Sequence, residues 1–220
     1  MEPIVNLYED EDIDDAEVRE IVVDYLVHTC CKETAQTLVS DAGLPDIEDR
    51  ILDMETRKPI CEHVLRGDVL KAIELTNKVA AHVLSENTDV YFELLALHFI
   101  GLVSAKDSLG ALHFAREQLK PFGKQERFVE RLQDCMALLA YEEPEKSPMF
   151  DLLEDVYRER VAELLNGALL AHWHMPAQAS VEKLIRQAVV VRKVMHQERV
   201  REHVPPFSLS DFINRKSVPR

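Results

Sequence analysis

Glycine is scarce in this chain, with 6 in 220 residues. Folds built from many tight hairpins spend glycine at left-handed turn positions, so a β-rich architecture is disfavoured. Long apolar runs are absent too. No stretch approaches the ~18 consecutive apolar residues that span a bilayer as a helix, so no membrane association is expected. The opening Met-Glu-Pro-Ile-Val-Asn has neither a basic n-region nor an apolar core, and it predicts no secretory signal. Positive charge is in deficit: 26 Lys and Arg stand against 40 Asp and Glu, a formal net charge of −14. Such a surface repels phosphate backbones and anionic headgroups, which argues against nucleic acid and membrane surfaces as partners.

The chemistry-bearing motifs are missing as well. There is no GxGxxG or GxxxxGK[ST] to cradle a phosphate and no GxSxG nucleophile elbow. The four cysteines, Cys30, Cys31, Cys61 and Cys135, include no CxxC. They are expected as reduced thiols of a cytoplasmic or nuclear protein. His172 and His174 are the closest histidine pair, but residues two apart on a helix face different ways. His98 and His113 lie on apolar helices and are expected to pack. No metal and no cofactor is expected, and no catalytic residue.

What is present is helical periodicity almost throughout. Residues 18–44 read as two short amphipathic helices, over about 15–28 and 32–42. Ile21, Val22, Tyr25 and Leu26 form the stripe of the first, and Ala35, Leu38 and Val39 that of the second. Asp14 and Asp15 suit the first helix's amino end, and Gly43 suits a left-handed stop with Pro45 just beyond. A pair this short cannot bury its apolar faces alone. It must dock on something, most economically a copy of itself, and that points to assembly rather than catalysis.

From Thr56 the pattern continues. Thr56 is predicted to cap a helix with Pro59 in its first turn and Ile60, Val64 and Leu65 as its stripe. Gly67 should end it and Asp68 start the next, which turns Leu70, Ala72, Ile73 and Val79 inward. Val90 to Ser104 is apolar around most of its circumference and should be enclosed by neighbours. Asp107 is predicted to cap a fourth helix ending near Leu119, and a fifth spans about 125–141. Residues 142–148 are the clearest internal break. Ser147 and Pro148 should then open a helix that uses Phe150, Leu153, Val156 and Tyr157. Ser180 should cap a last helix reaching about His203, with Leu184, Ile185, Ala188, Val191 and Met195 buried. In the tail, Phe207, Leu209, Phe212 and Ile213 could dock. Period-two alternation is nowhere convincing. The predicted fold is all-α, stacked helical hairpins with no significant sheet.

Tyr25-Leu26, Glu33-Thr34-Ala35, Leu38 and Asp41-Ala42-Gly43 resemble a LisH motif, a small helical dimerisation unit. Arg66-Gly67-Asp68-Val-Leu-Lys-Ala-Ile73 and Val90-Tyr-Phe-Glu-Leu-Leu-Ala-Leu-His98 resemble a CTLH domain. Ala111-Leu-His-Phe-Ala-Arg-Glu-Gln-Leu119 and Met136-Ala-Leu-Leu-Ala-Tyr141 resemble a CRA domain. Their order is that of the LisH–CTLH–CRA family found in GID/CTLH-type E3 ubiquitin ligases. The resemblance implies an acidic, flexible 1–14, a LisH motif over 15–45, CTLH over 56–106, CRA over 107–204 and a tail over 205–220. Such motifs usually carry a glycine and an aromatic where this chain has Cys30 and Cys31, and an aromatic where it has Leu38.

The resemblance further implies a non-catalytic scaffold that joins RING-type subunits to substrate-receptor, RanBPM-like and armadillo-repeat subunits, as a homo- or heterodimer, in cytoplasm and nucleus. Ile21, Val22, Tyr25, Leu26, Ala35 and Leu38 would form the LisH interface. Leu94, Leu95, Leu97, His98, Leu184 and Ile185 would form CTLH–CRA packing or interface. The alternatives are a LisH adaptor of a cytoskeletal or transcriptional complex, and a helical enzyme using His172, His174, Cys30 or Cys31.

Overall fold

The first helix begins where a carboxylate meets free backbone donors. Asp14 accepts from the Ala16 N–H at 2.9 Å, and Asp15 and Glu17 in the first turn oppose the helix dipole. The computed structural model describes residues 14–197. In chain order the helices are α1 (Asp15–His28), α2 (Lys32–Ala42), α3 (Glu48–Leu65), α4 (Val69–Val79), α5 (Val83–Glu86), α6 (Thr88–Ser104), α7 (Ser108–Phe114), α8 (Glu126–Ala137), α9 (Asp155–His172) and α10 (Ser180–Gln197). A π turn (Ala115–Leu119) and one 3-10 turn (Lys120–Lys124) prolong α7, and further 3-10 turns lie between α8 and α9. Among the described residues every regular element is helical, so the fold is all-α. The expectations for the 1–13 segment, the far end of the last helix, the Met195 side chain and the tail fall outside the described residues.

Two compact units emerge. In one, α1 packs on α2 and on α10. In the other, Asp49–Ala177, α6 is the centre and contacts α4, α5, α7, α8 and α9. Nine α6 residues are buried: Val90, Phe92, Leu94, Leu95, Ala96, Leu97, Phe99, Ile100 and Val103. That matches the all-round apolar character of its sequence. Phe92 stacks on Phe128 at 4.7 Å and meets Phe122 at 5.2 Å between ring centroids. The Arg127 guanidinium ties the start of α8 to the start of α6, donating to Asp89 (2.9 Å) and Thr88 (2.6 Å).

Five helices end in one way. The residue just past the helix is left-handed, and its N–H and the next N–H donate back to carbonyls of the last turn. Glycine fills that position twice, Gly43 (φ +62°) and Gly67 (φ +86°), as their sequence contexts predict. Cys30 (φ +58°), Lys106 (φ +61°) and His174 (φ +60°) fill the other three. For the end of α6, Lys106 N–H donates to Val103 and Asp107 N–H to Leu102. For the end of α1, Cys30 donates to Val27 and Cys31 to Leu26.

Several local expectations are corrected. α3 starts at Glu48, where Asp46 accepts the Glu48 N–H at 3.1 Å, and it runs through Pro59. Proline inside a helix costs roughly 3 kcal/mol. Burial of Met54 and Arg57 before it, and of Ile60 and Val64 after it, holds the two halves together. Leu65 stays exposed. In α4 the buried face is Val69, Ala72 and Thr76, and Leu70 and Val79 are exposed. Thr76 can be buried because its hydroxyl donates to the Ala72 carbonyl at 2.8 Å. The segment 142–148 is no boundary: Pro144 and Ser147 are buried within the Asp49–Ala177 unit. Ser147 caps only a turn, accepting from the Met149 N–H, and α9 begins later, at Asp155.

α3 and α9 are joined by a buried polar clamp. Arg57 is fully buried. It donates to Asp53 Oδ2 from Nε (2.9 Å) and Nη2 (2.8 Å), and from Nη1 to Asn166 Oδ1 (2.6 Å). Removing one member of such a set strands a buried charge, so Arg57→Ala should cost about 3–5 kcal/mol. A urea titration with a lower midpoint and an unchanged slope would show this. Conversely, Lys106 is exposed and gains little from its side chain. Lys106→Gly should therefore raise the unfolding free energy by about 1 kcal/mol through relief of left-handed strain, readable in the same titration.

Candidate docking surfaces

α1 is amphipathic in a particular way. Val23, Val27 and His28 are buried, while Val18, Val22 and Tyr25 remain 42%, 43% and 44% exposed. These three recur at i, i+4 and i+7, the spacing of a helix–helix seam. Of the sequence-predicted interface residues, Val22 and Tyr25 lie on this exposed seam, Ile21, Leu26 and Leu38 are half-buried, and Ala35 is enclosed within its own chain.

α10 repeats the pattern. Leu184, Ala188 and Val191 fall at i, i+4 and i+7 and are all exposed, with Val190 and Val194 exposed beside them. The expectation that Leu184, Ala188 and Val191 are buried is therefore corrected; Ile185 is half-buried. Amphipathic spacing marks the stripe as apolar, and within this unit α10 turns another face to its neighbours. Ser180 does not cap the helix as predicted. It is the first helical residue, and its N–H donates to Asp24 Oδ2 of α1 at 2.8 Å. No local pattern announces this cap, since its partner lies 156 residues away.

In the other unit, Leu94, Leu95 and Leu97 are core residues. His98 is half-buried, its ring edge-on to Phe114 at 4.7 Å. Burial lowers its pKa below the ordinary 6.5. A cavity of about 270 Å³ opens where α6 ends and α7 begins, with Val103 and Leu138 in its wall and Lys106 and Tyr141 among its lining. Leu109, next to the lining residue Ser108, is 82% exposed.

A second polar cluster joins α6, α8 and α9. Tyr157 Oη donates to Glu93 at 2.7 Å, Arg131 sits 3.7 Å from Glu93, and its guanidinium covers the Tyr157 ring at 4.7 Å. Burial, then the Glu93 charge, raises the Tyr157 pKa. Burial also pushes the Cys135 thiol up to about 12. A thiol and a phenol held in their protonated forms are poor nucleophiles. The cluster holds helices together. None of the four cysteines is in a disulfide; Cys30 and Cys135 are buried and Cys31 is exposed, and His172 and His174 are exposed at the end of α9.

An all-helical chain with exposed helix seams is the material of assembly domains, and comparison with known proteins names the class. Residues 53–196 match the family described as the CTLH/CRA C-terminal to LisH motif domain, and the chain belongs to that family. It is similar to the Glucose-induced degradation protein 8 homolog of Nematostella vectensis, 32% identical over 193 residues that span 84% of this chain and 83% of that protein. It is similar to GID complex subunit 8 of Schizosaccharomyces pombe, 32% identical over 169 residues, 72% of this chain and 70% of that protein. A Ran-binding protein M homolog of Arabidopsis thaliana is 30% identical over 193 residues, 77% of this chain but 41% of that longer protein.

The His98 environment sets a pH response. As pH falls through 6.5 the unfolded chain protonates this residue before the folded one does. The unfolded state then binds more protons, so the stability His98 supports is complete above 6.5 and is lost as pH drops towards the folded pKa. His98→Gln should flatten the fall in unfolding free energy just below pH 6.5. An unaltered slope would place its origin elsewhere.

Proposed function

We propose that this chain is a non-catalytic scaffold subunit of a GID/CTLH-type E3 ubiquitin ligase. It would join RING-type subunits to RanBPM-like, armadillo-repeat and substrate-receptor subunits in ubiquitin-dependent degradation. The observation that carries the reading is the paired exposed apolar seam of α1 and α10. Monomeric proteins rarely leave such stripes uncovered, and their usual meaning is a helical partner. Family membership and relatives named as subunits of the GID complex support the choice of assembly. In this reading residues 15–45 act as the LisH motif, with Val22 and Tyr25 at its interface. The CTLH and CRA segments, 56–106 and 107–204, supply the packed support and a second contact area around Leu109 and Tyr141. Four cysteines without a disulfide fit a reducing compartment, cytoplasm or nucleus.

Affinity purification with mass spectrometry tests this. Wild-type chain should recover RING-bearing and RanBPM-like proteins. Val22→Asp, which puts a charge on the seam without touching the buried face, should reduce the recovery of seam partners at least about tenfold, the equivalent of 1.4 kcal/mol. Recovery of neither partner class by the wild-type chain would refute the ligase assignment.

A further inference from the structure

Among the described helices of its unit, only α10 is net positive. Lys183, Arg186, Arg192 and Lys193 stand against Glu182, a net +3, while α1 and α2 are both net negative. Its apolar side chains are largely uncovered: Leu184, Val190, Val191 and Val194 are all exposed. The contact with α1, where Asp24 accepts the Ser180 N–H, uses another face. The two ends of the chain outside the described residues differ in charge. Residues 1–13 carry Glu2, Glu9, Asp10, Glu11 and Asp12 with no Lys or Arg, a net −5, and place Ile4, Val5, Leu7 and Tyr8 just ahead of the acidic run. Residues 198–220 carry five Lys and Arg against three Asp and Glu, a net +2. α10 repels the second end and matches the first in both charge and apolar content.

We propose that residues 1–13 are a cover for α10 of their own chain, with the carboxylates at 9–12 against its Lys and Arg and the apolar residues ahead of them on its exposed stripe. This rests on the reading of the α10 stripe as a docking face, and it adds that the face has an intramolecular occupant that a partner must displace. Reach is not limiting. Thirteen extended residues span up to about 43 Å, against about 27 Å for the whole of α10, and they are rooted at the start of α1, which itself touches α10. The tether makes a weak contact sufficient. A short flexible link holds its ends at millimolar effective concentration, so a contact too weak to form between separate molecules is populated within one. A partner that needs this face meets it only in chains whose cover is off, and its apparent affinity falls in proportion to that fraction.

Zero-length carbodiimide cross-linking of the full-length chain tests the contact, because it joins a carboxylate to an amine only where the two touch. Unlabelled and isotope-labelled chains are mixed until native mass spectrometry shows that any subunits have exchanged. Residues 9–12 should then be found joined to Lys183 or Lys193, in pairs of a single isotope. Raising the salt should lower their yield at least about fivefold. Mixed-isotope pairs in the statistical share would place the segment on another molecule. No such pairs at low salt would leave α10 uncovered by it. Either result overturns the cover.

The competition has its own readout. Glu9→Gln, Asp10→Asn, Glu11→Gln and Asp12→Asn together remove the charge and keep Asp14, the cap of α1. This variant should recover about threefold or more of the partners that Val22→Asp loses; unchanged recovery would overturn the competition. Cross-linking involves no partner, so it is judged apart from the ligase reading. Single-isotope cross-links in a chain that recovers neither RING-bearing nor RanBPM-like proteins would support the cover while refuting the ligase.

Discussion

A helix that is apolar on nearly every side cannot stand in water, and α6 is such a helix. Its nine buried residues face in all directions around its axis, so neighbours must arrive from all directions. α4 and α5 come from the preceding chain and α7, α8 and α9 from the following chain. Burial of side chains the size of Phe92 or Leu94 is worth about 1.5–3 kcal/mol each. That gain is collected only when the surrounding helices are all in place. The condensation of Asp49–Ala177 into one unit follows from this requirement.

Apolar burial is not directional, and two polar clusters supply the direction. Arg57 can satisfy its guanidinium only if α3 and α9 meet with Asp53 and Asn166 at the right level. Tyr157, Glu93 and Arg131 impose a similar condition on α9, α6 and α8. A buried, half-satisfied network is costly in a low-dielectric interior. Wrong registers of these helices are thereby penalised more than the correct one is rewarded. Both clusters sit on α9, so that helix is registered twice, against α3 and against α6.

The helical class, the α1 and α2 limits, the enclosed α6 and the glycine stops at 43 and 67 were legible because each depends on a few neighbouring residues. Three kinds of feature were not. The start of α3 was hidden because Pro59 reads locally as a boundary and only tertiary packing carries the helix through it. The Asp24 cap on Ser180 and the Arg57–Asn166 bond join residues more than a hundred positions apart, beyond any local pattern. The fate of the α10 stripe was hidden for a different reason. Periodicity reports that a face is apolar, and it is silent on whether the cover comes from the same chain. Leu95 and Leu184 look alike in sequence; one is enclosed by its own fold and the other waits at the surface.

Cys30 shows how the α1–α2 pair is balanced. Its position holds a left-handed backbone, which glycine adopts most readily. A non-glycine residue costs roughly 1–2 kcal/mol in that conformation. The Cys30 side chain is buried, and a small apolar group withdrawn from water returns about 1 kcal/mol. The exchange comes out near zero or slightly unfavourable for the isolated turn. The same turn ends α1, whose exposed seam leaves further apolar surface uncollected. A hairpin assembled from near-cancelling local terms depends for its margin on packing from outside the turn. α10 supplies it by packing on α1, where Asp24 accepts the Ser180 N–H and Val23 and Val27 are buried.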